Sequence, residues 1–147
     1  QEEAYANGCK QVCFLADVTA SHIEELGGMT VFVVRAAGSV VTPRLSGTIL
    51  EGCTRSAIIE LLKSEGTSVS EADLTLSALL DDVRSGQVSE IFACGTAAVV
   101  TPIGALKGKD FEVRLEAGPV TSHIHQRLTG IQFGKVEDEF GWMYRLA

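Results

Sequence analysis

Phe92-Ala93-Cys94-Gly95-Thr96-Ala97-Ala98-Val99-Val100-Thr101-Pro102 is an apolar run that drops into Gly-Thr-Ala-Ala and climbs into a second apolar run. It predicts two strands, Ser89 to Cys94 and Val99 to Ile103, joined by a tight turn. Glycine lets the backbone approach a ligand, and the small residues after it leave room for one. The Thr96 hydroxyl can donate to an anionic oxygen. The alternative reading is a close-packed turn between two strands.

About 40 residues earlier, Leu50-Glu51-Gly52-Cys53-Thr54-Arg55 opens a second element of this kind. From Thr54 the apolar residues Ala57, Ile58, Leu61 and Leu62 recur at helical spacing, with Thr54 as N-cap and Gly66 as the stop. A helix start favours phosphate, because its amides lack helical partners and carry about half a positive charge. Thr54 either caps this helix or serves such an anion. Two small-residue turns, each with a threonine, point to one phosphate held between them.

The rest of the chain alternates in type. Gln11 to Ala16 and Met29 to Arg35 predict strands, with Asp17 to Glu24 as a polar turn. Ala36-Ala37-Gly38-Ser39 turns the second strand into a partner at Val40 to Thr42, ended by Pro43. A helix is expected from Leu76 to Arg84, a strand at Asp110 to Arg114, and a helix from Pro119 to Leu128 with proline in its first turn. The tail from Ile131 mixes charge with Phe133, Phe140, Trp142 and Tyr144 and is expected to dock. The fold class is α/β, one domain with a mixed, partly barrel-like sheet and flanking helices.

Composition sets further bounds. The 147 residues are 46% hydrophobic and 21% charged, enough for one folded domain with a core. A net charge of −7 argues against sequence-independent nucleic-acid binding, which needs clustered Lys and Arg. No apolar run reaches the roughly 20 residues of a membrane helix. Cys9, Cys13, Cys53 and Cys94 lack paired C-x-x-C spacing and are expected to be reduced thiols of a cytoplasmic protein. No metal site is expected: His123 and His125 have a ligand-like spacing but do not share a helix face. The acidic start shows no secretory signal, and Gln1 to Gly8 reads as the tail of a helix with a glycine cap, as if cut from something longer.

Glu25 lies in His22-Ile23-Glu24-Glu25-Leu26-Gly27-Gly28-Met29, just before an apolar strand. A carboxylate placed near the interior needs a cationic or donor partner, and a protonated ring nitrogen would serve. The alternative is a solvated turn glutamate.

Taken in order, Asn7-Gly8-Cys9-Lys10-Gln11-Val12, Glu25-Leu26-Gly27-Gly28-Met29, Gly47 to Arg55, Phe92 to Pro102, Leu128 to Gly134 and Gly141-Trp142-Met143 resemble the C-terminal part of the branched-chain amino-acid aminotransferases. These are fold-type IV enzymes that use pyridoxal 5′-phosphate. The resemblance covers essentially all 147 residues and implies the large C-terminal, cofactor-binding domain over 1–147. It implies that Glu25 pairs with the pyridine nitrogen, that Leu50 packs on the ring, and that Cys53, Thr54 and Thr96 hold the phosphate. Ala97 and Ala98 would face the substrate carboxylate, with Gly28 by the side-chain pocket. The implied substrates are amino acids and 2-oxo acids, in a homodimeric parent that passes the amino group of Leu, Ile or Val to 2-oxoglutarate. Thr30 stands where asparagine is common in the family and Glu51 where proline is. Ala98 and Thr101 replace the two cysteines of a redox switch seen in some animal relatives, so no such switch is expected. The family's Schiff-base lysine belongs to a segment expected before Gln1, leaving no catalytic residue in this chain. Lys10, Lys63, Lys107, Lys109 and Lys135 lie in other contexts, so the fragment is expected not to transaminate. Alternatives are another type IV enzyme, such as a D-amino-acid aminotransferase or aminodeoxychorismate lyase, or a non-catalytic binding module.

Overall fold

A computed structural model describes residues 2–16, 21–47 and 49–146. Its centre is β3 (Thr30–Arg35), whose run of β-branched and aromatic residues is buried on both sides. Such a run suits a strand covered on both faces. It pairs antiparallel with β4 (Val40–Pro43) across the Ala36–Ser39 turn, and with β6 (Val88–Gly95) on its other side. β7 (Val99–Pro102) extends the sheet beyond β6, and β5 (Val69–Ala72) lies parallel to β4, giving the order β5-β4-β3-β6-β7.

Alternation along β3 and β6 sends side chains into two cores. Phe32, Val34, Phe92 and Cys94 pack with Ile58, Leu61 and Leu62 of α2 (Cys53–Ser64) and with Ile124 and Leu128 of α4 (Pro119–Gln132). Phe32 and Phe92 are register partners, and their rings stack with centroids 5.0 Å apart. Such a pair adds about 0.5–1.5 kcal/mol beyond the area it buries. On the opposite face Val31, Val33, Ile91 and Ala93 pack with Leu79 of α3 (Leu76–Arg84) and with Ile23 and Leu26 of β2 (His22–Leu26). β2 forms a hairpin with β1 (Cys13–Ala16), bulged between Phe14 and Leu15. The mixed α/β class holds: helices cover both faces of a mixed sheet, with β5 and β7 as its edges.

Several expected boundaries are corrected. Residues 17–20 of the expected turn lie outside the described residues, and His22 to Glu24 are strand, because Ile23 and Leu26 must reach the core. Glu25 therefore stands within β2, and the apolar strand expected after it is β3. The strand expected at Asp110 is shorter, β9 (Glu112–Arg114); Asp110 belongs to the turn closed by Gly108 N–H on Phe111 C=O, which pairs β9 with β8 (Ala105–Lys107). α4 runs four residues past Leu128, since Ile131 is still buried on its apolar face. The glycine cap near the start is present: α1 (Glu2–Ala6) is followed by Gly8 at φ +78°.

The tail docks in part. Phe140 and Trp142 stack with ring centroids 4.2 Å apart and pack against the α2/α4 core, whereas Phe133 and Tyr144 are exposed. Asp138 fixes this turn by accepting the Phe140 and Met143 amides at 3.2 and 2.7 Å. These bonds, Met143's foremost, hold its carboxyl below the ordinary 3.8.

Candidate functional site

Strand directions gather most of the candidate residues at one end of the sheet. β4, β5 and β6 finish there and β3 and β7 begin there. Parallel pairing of β4 with β5 demands a crossover, and α2 supplies it. Its first turn consequently lies at the end of β4.

The β2–β3 connection is a two-residue hairpin turn. Leu26 and Met29 exchange backbone hydrogen bonds at 2.8 and 2.9 Å, with Gly27 at φ +54° and Gly28 at +86°. Two successive positive φ angles favour glycine. Thr30 pairs with Cys94, which sets this turn beside the β6–β7 turn, Gly95 to Val99. The two approach closely: a Cβ built on Gly95 would stand 3.2 Å from Met29 Cγ. Gly28 and Thr96-Ala97-Ala98 are thus neighbours at this end.

The β6–β7 turn holds a strain that composition did not reveal. Val99 has φ +53°, the one positive value outside glycine among the described residues. Left-handed conformation costs an L-residue about 1–2 kcal/mol, more for a β-branched one, and such strain clusters at functional sites.

At the start of α2 the expected cap is corrected. Gly52, at φ +66°, is the N-cap, and no side chain caps the helix. Thr54 is already the second helical residue, so its hydroxyl does not occupy the capping position. Cys53 and Thr54 stand on the first turn, with Cys53 exposed and Thr54 half-buried. Leu50, in the preceding loop, is 81% exposed.

Arg55 is the residue that sequence reading missed. It is 3% exposed, and its Nη2 donates to Pro43 C=O at 3.0 Å and to Glu71 Oε2 at 2.6 Å. Its Nε is buried without a hydrogen-bond partner. The signal was available: Arg55, Ile58 and Leu62 share one helical face, so an arginine there goes inward with the apolar residues. Burial pushes the Cys94 thiol up to about 12, while the Arg55 charge and a hydrogen bond with Thr30 pull it the other way. That electrostatic contact links the start of α2 to the end of β6.

Glu25 is half-buried, lies opposite Phe14 in the β1–β2 hairpin, and is separated from the Gly27-Gly28 turn by Leu26 alone. Thr96 and Ala97 are exposed and Ala98 is half-buried. Cavities of about 690, 650 and 250 Å³ are lined by other residues; the second takes in Leu26, Met29, Ala93 and Thr101 on the hairpin side of the sheet. Most of the candidate residues stand along an open wall at one sheet end, outside these cavities. Among the described residues no group of His, Cys, Asp and Glu could hold a metal, and no helix is long and apolar enough to cross a membrane. His123 bonds Glu65 on the surface at 2.7 Å, and the four cysteines are free thiols.

Known proteins give this wall a context. The chain is 41% identical, over its whole length, to a branched-chain-amino-acid aminotransferase of Mycobacterium tuberculosis, and spans 42% of that protein. It is 40% identical to a probable branched-chain-amino-acid aminotransferase of Streptomyces coelicolor, again over the whole chain and 41% of the relative. The structure of the Escherichia coli branched-chain amino acid aminotransferase superposes on 96% of the chain and 44% of its own, with TM-score 0.79 and 34% identity. That of an aminotransferase from Brucella abortus, solved with the cofactor PLP bound, gives TM-score 0.70 at 32% identity, over 92% of this chain and 43% of its own. The chain thus has the fold of this part of those enzymes and spans less than half of their length. The profile of amino-transferase class IV matches residues 1–106, and the chain belongs to that family.

Proposed function

We propose that residues 1–147 are the C-terminal, pyridoxal 5′-phosphate-binding domain of a branched-chain amino-acid aminotransferase. The observation that carries this reading is the glycine-capped start of α2 standing at one sheet end with the strained Gly95–Val99 turn. The residues present fit the phosphate end of such a cofactor: the α2 start lacks a side-chain cap, and a buried guanidinium with an unpaired Nε lies beneath it. When bound, the cofactor supplies an electron sink for the bonds at an amino acid's Cα.

In this reading the chain's residues bind and orient. Cys53 and Thr54 offer backbone amides, and Thr54 and Thr96 offer hydroxyls, to the phosphate. Glu25 holds a proton on the ring nitrogen, a charge-assisted contact of about 1.5–3 kcal/mol. Leu50 packs on the ring, and its exposure here is consistent with a face reserved for a ligand. Ala97 and Ala98 turn backbone toward the substrate carboxylate, with Gly28 beside its side chain. None of the chain's lysines is assigned the Schiff-base role, so the complete enzyme, a homodimer in this reading, draws that amine from elsewhere.

The test has two parts. Titrating the chain with pyridoxal 5′-phosphate should give saturable binding that inorganic phosphate competes away and that Thr54→Ala weakens. The complete polypeptide should form glutamate from L-leucine and 2-oxoglutarate. Glutamate from D-alanine but not L-leucine would replace this reading with a D-amino-acid aminotransferase, and absence of saturable binding would refute the cofactor assignment.

A further inference from the structure

Among the described residues Arg55 is the one buried cation, and its surroundings are unusual for a structural arginine. Both of its hydrogen bonds leave through Nη2, one to the C=O of Pro43 at the end of β4 and one to Glu71 on β5. Glu71 is 43% exposed, so water screens that carboxylate while the guanidinium stays dry. An Nε–H with no acceptor costs about 1–3 kcal/mol. A guanidinium kept only to fasten α2 would have its donors satisfied. This one keeps a donor without an acceptor under the first turn of a helix whose N-terminal dipole has the same sign as its charge, and its counter-charge is a single, part-exposed carboxylate.

We propose that Arg55 is the positioning residue of the anion cradle: it fastens the first turn of α2 to the ends of β4 and β5 and adds a buried positive charge that draws a phosphate group, with Glu71 attenuating that charge. This rests on the phosphate-binding reading above. The charge acts at a distance through Cys53 and Thr54, whose amides make the contacts; Arg55 itself stays buried. The strength of the cradle is then set by a carboxylate on the neighbouring strand.

The experiment is titration with inorganic phosphate, followed by the amide NMR shifts of Cys53 and Thr54, for the unaltered chain and for Arg55→Met, Arg55→Lys and Glu71→Gln. Loss of the buried charge in Arg55→Met should weaken phosphate about tenfold at low salt, and Arg55→Lys, which keeps charge but loses the fork, about threefold. Glu71→Gln should tighten it about threefold, and high salt should compress these differences. Tightening on Glu71→Gln is the telling outcome, because a merely structural clamp would weaken when its partner is neutralised. Should Arg55→Met not fold, the lysine variant and the exposed Glu71 carry the test. If the unaltered chain binds phosphate and Glu71→Gln binds equally or more weakly, the role given to Arg55 is overturned while the phosphate site stands. If the unaltered chain shows no phosphate-dependent shifts at Cys53 and Thr54, the phosphate reading falls and takes this proposal with it.

Discussion

Replacing Glu90 with glutamine tests how the sheet fixes α4, and its magnitude can be worked out atom by atom. Glu90 is 3% exposed on β6, and its carboxylate is the cap of α4 although 28 residues separate it from Gly118, the backbone N-cap. Oε1 accepts the Val120 amide at 3.1 Å; Oε2 accepts the Thr121 amide at 2.8 Å and its hydroxyl at 2.6 Å. Glutamine conserves shape but puts an NH₂ where one acceptor was. One backbone N–H then faces a donor, at about 1–3 kcal/mol, and the helix start loses its anion, at about 0.3–1 kcal/mol and up to 2 in buried geometry. The expected loss is about 2–4 kcal/mol in urea unfolding followed by circular dichroism, with an unchanged m-value. Gly118→Ala should cost a similar amount by another route, since its Cβ would collide with the Glu90 carboxyl. The two losses should not add, because either change alone dislodges the same cap. A Glu90→Gln loss under about 1 kcal/mol would refute the capping role.

Other expectations are as direct. Val99→Gly relieves about 1–2 kcal/mol of left-handed strain and offsets much of the entropy and packing it forfeits, so its net effect should stay within about 1 kcal/mol, whereas Val100→Gly, 4% exposed and next in the chain, should cost about 3 kcal/mol or more. Equal losses at the two positions would mean that the φ of +53° carries no strain. The hydrogen bonds that lower the Asp138 carboxyl stabilise the tail fully above the unfolded value of 3.8, and that contribution is lost as pH falls through the lower folded value. Fluorescence of Trp142, the chain's single tryptophan, should therefore shift only in the acid range, and Asp138→Asn should abolish that transition. Alkylation at about pH 8, near the ordinary thiol value, should modify exposed Cys53 first and spare Cys94 and Cys13, whose thiols burial pushes up to about 12 and 11. Bound phosphate should slow the reaction at Cys53.

Where one residue type carried a single message, the sequence could be read directly. β3 is a run of five buried residues that only a two-sided core explains, and α3 matches the helix expected from about Leu76 to Arg84 because its apolar stripe ends in Arg84 with Gly86 beyond. β5 escaped notice because Val69-Ser70-Glu71-Ala72 has no strand-like composition; it is an edge strand held by parallel pairing with β4, a partner about 30 residues away. β8 is three residues long and owes its existence to the turn that brings β9 onto it. At the site, Gly52, Cys53 and Thr54 were legible as a helix start, but the division of labour among them was not. A glycine in left-handed conformation and a threonine one turn-step inside are indistinguishable from a threonine cap until φ is known.

Arg55 shows why the remainder of the site could not be read from local pattern. Its charge marked it as solvent-facing, while its position on the face of Ile58 and Leu62 marked it as buried, and the conflict is settled by Pro43 and Glu71, which are distant in sequence. A buried charge is tolerated only where distant groups compensate it, and here Glu71 supplies the counter-charge while Nε is left without an acceptor. The strained φ of Val99 has the same character: nothing in Ala98-Val99-Val100 announces it, and it persists because pairing with Gly95 on one side and the core on the other over-determines the turn. An unpaired Nε and a left-handed valine both sit at the sheet end where the helix start arrives. Both are local costs imposed by contacts with residues distant in sequence, which is why short-range pattern cannot show them.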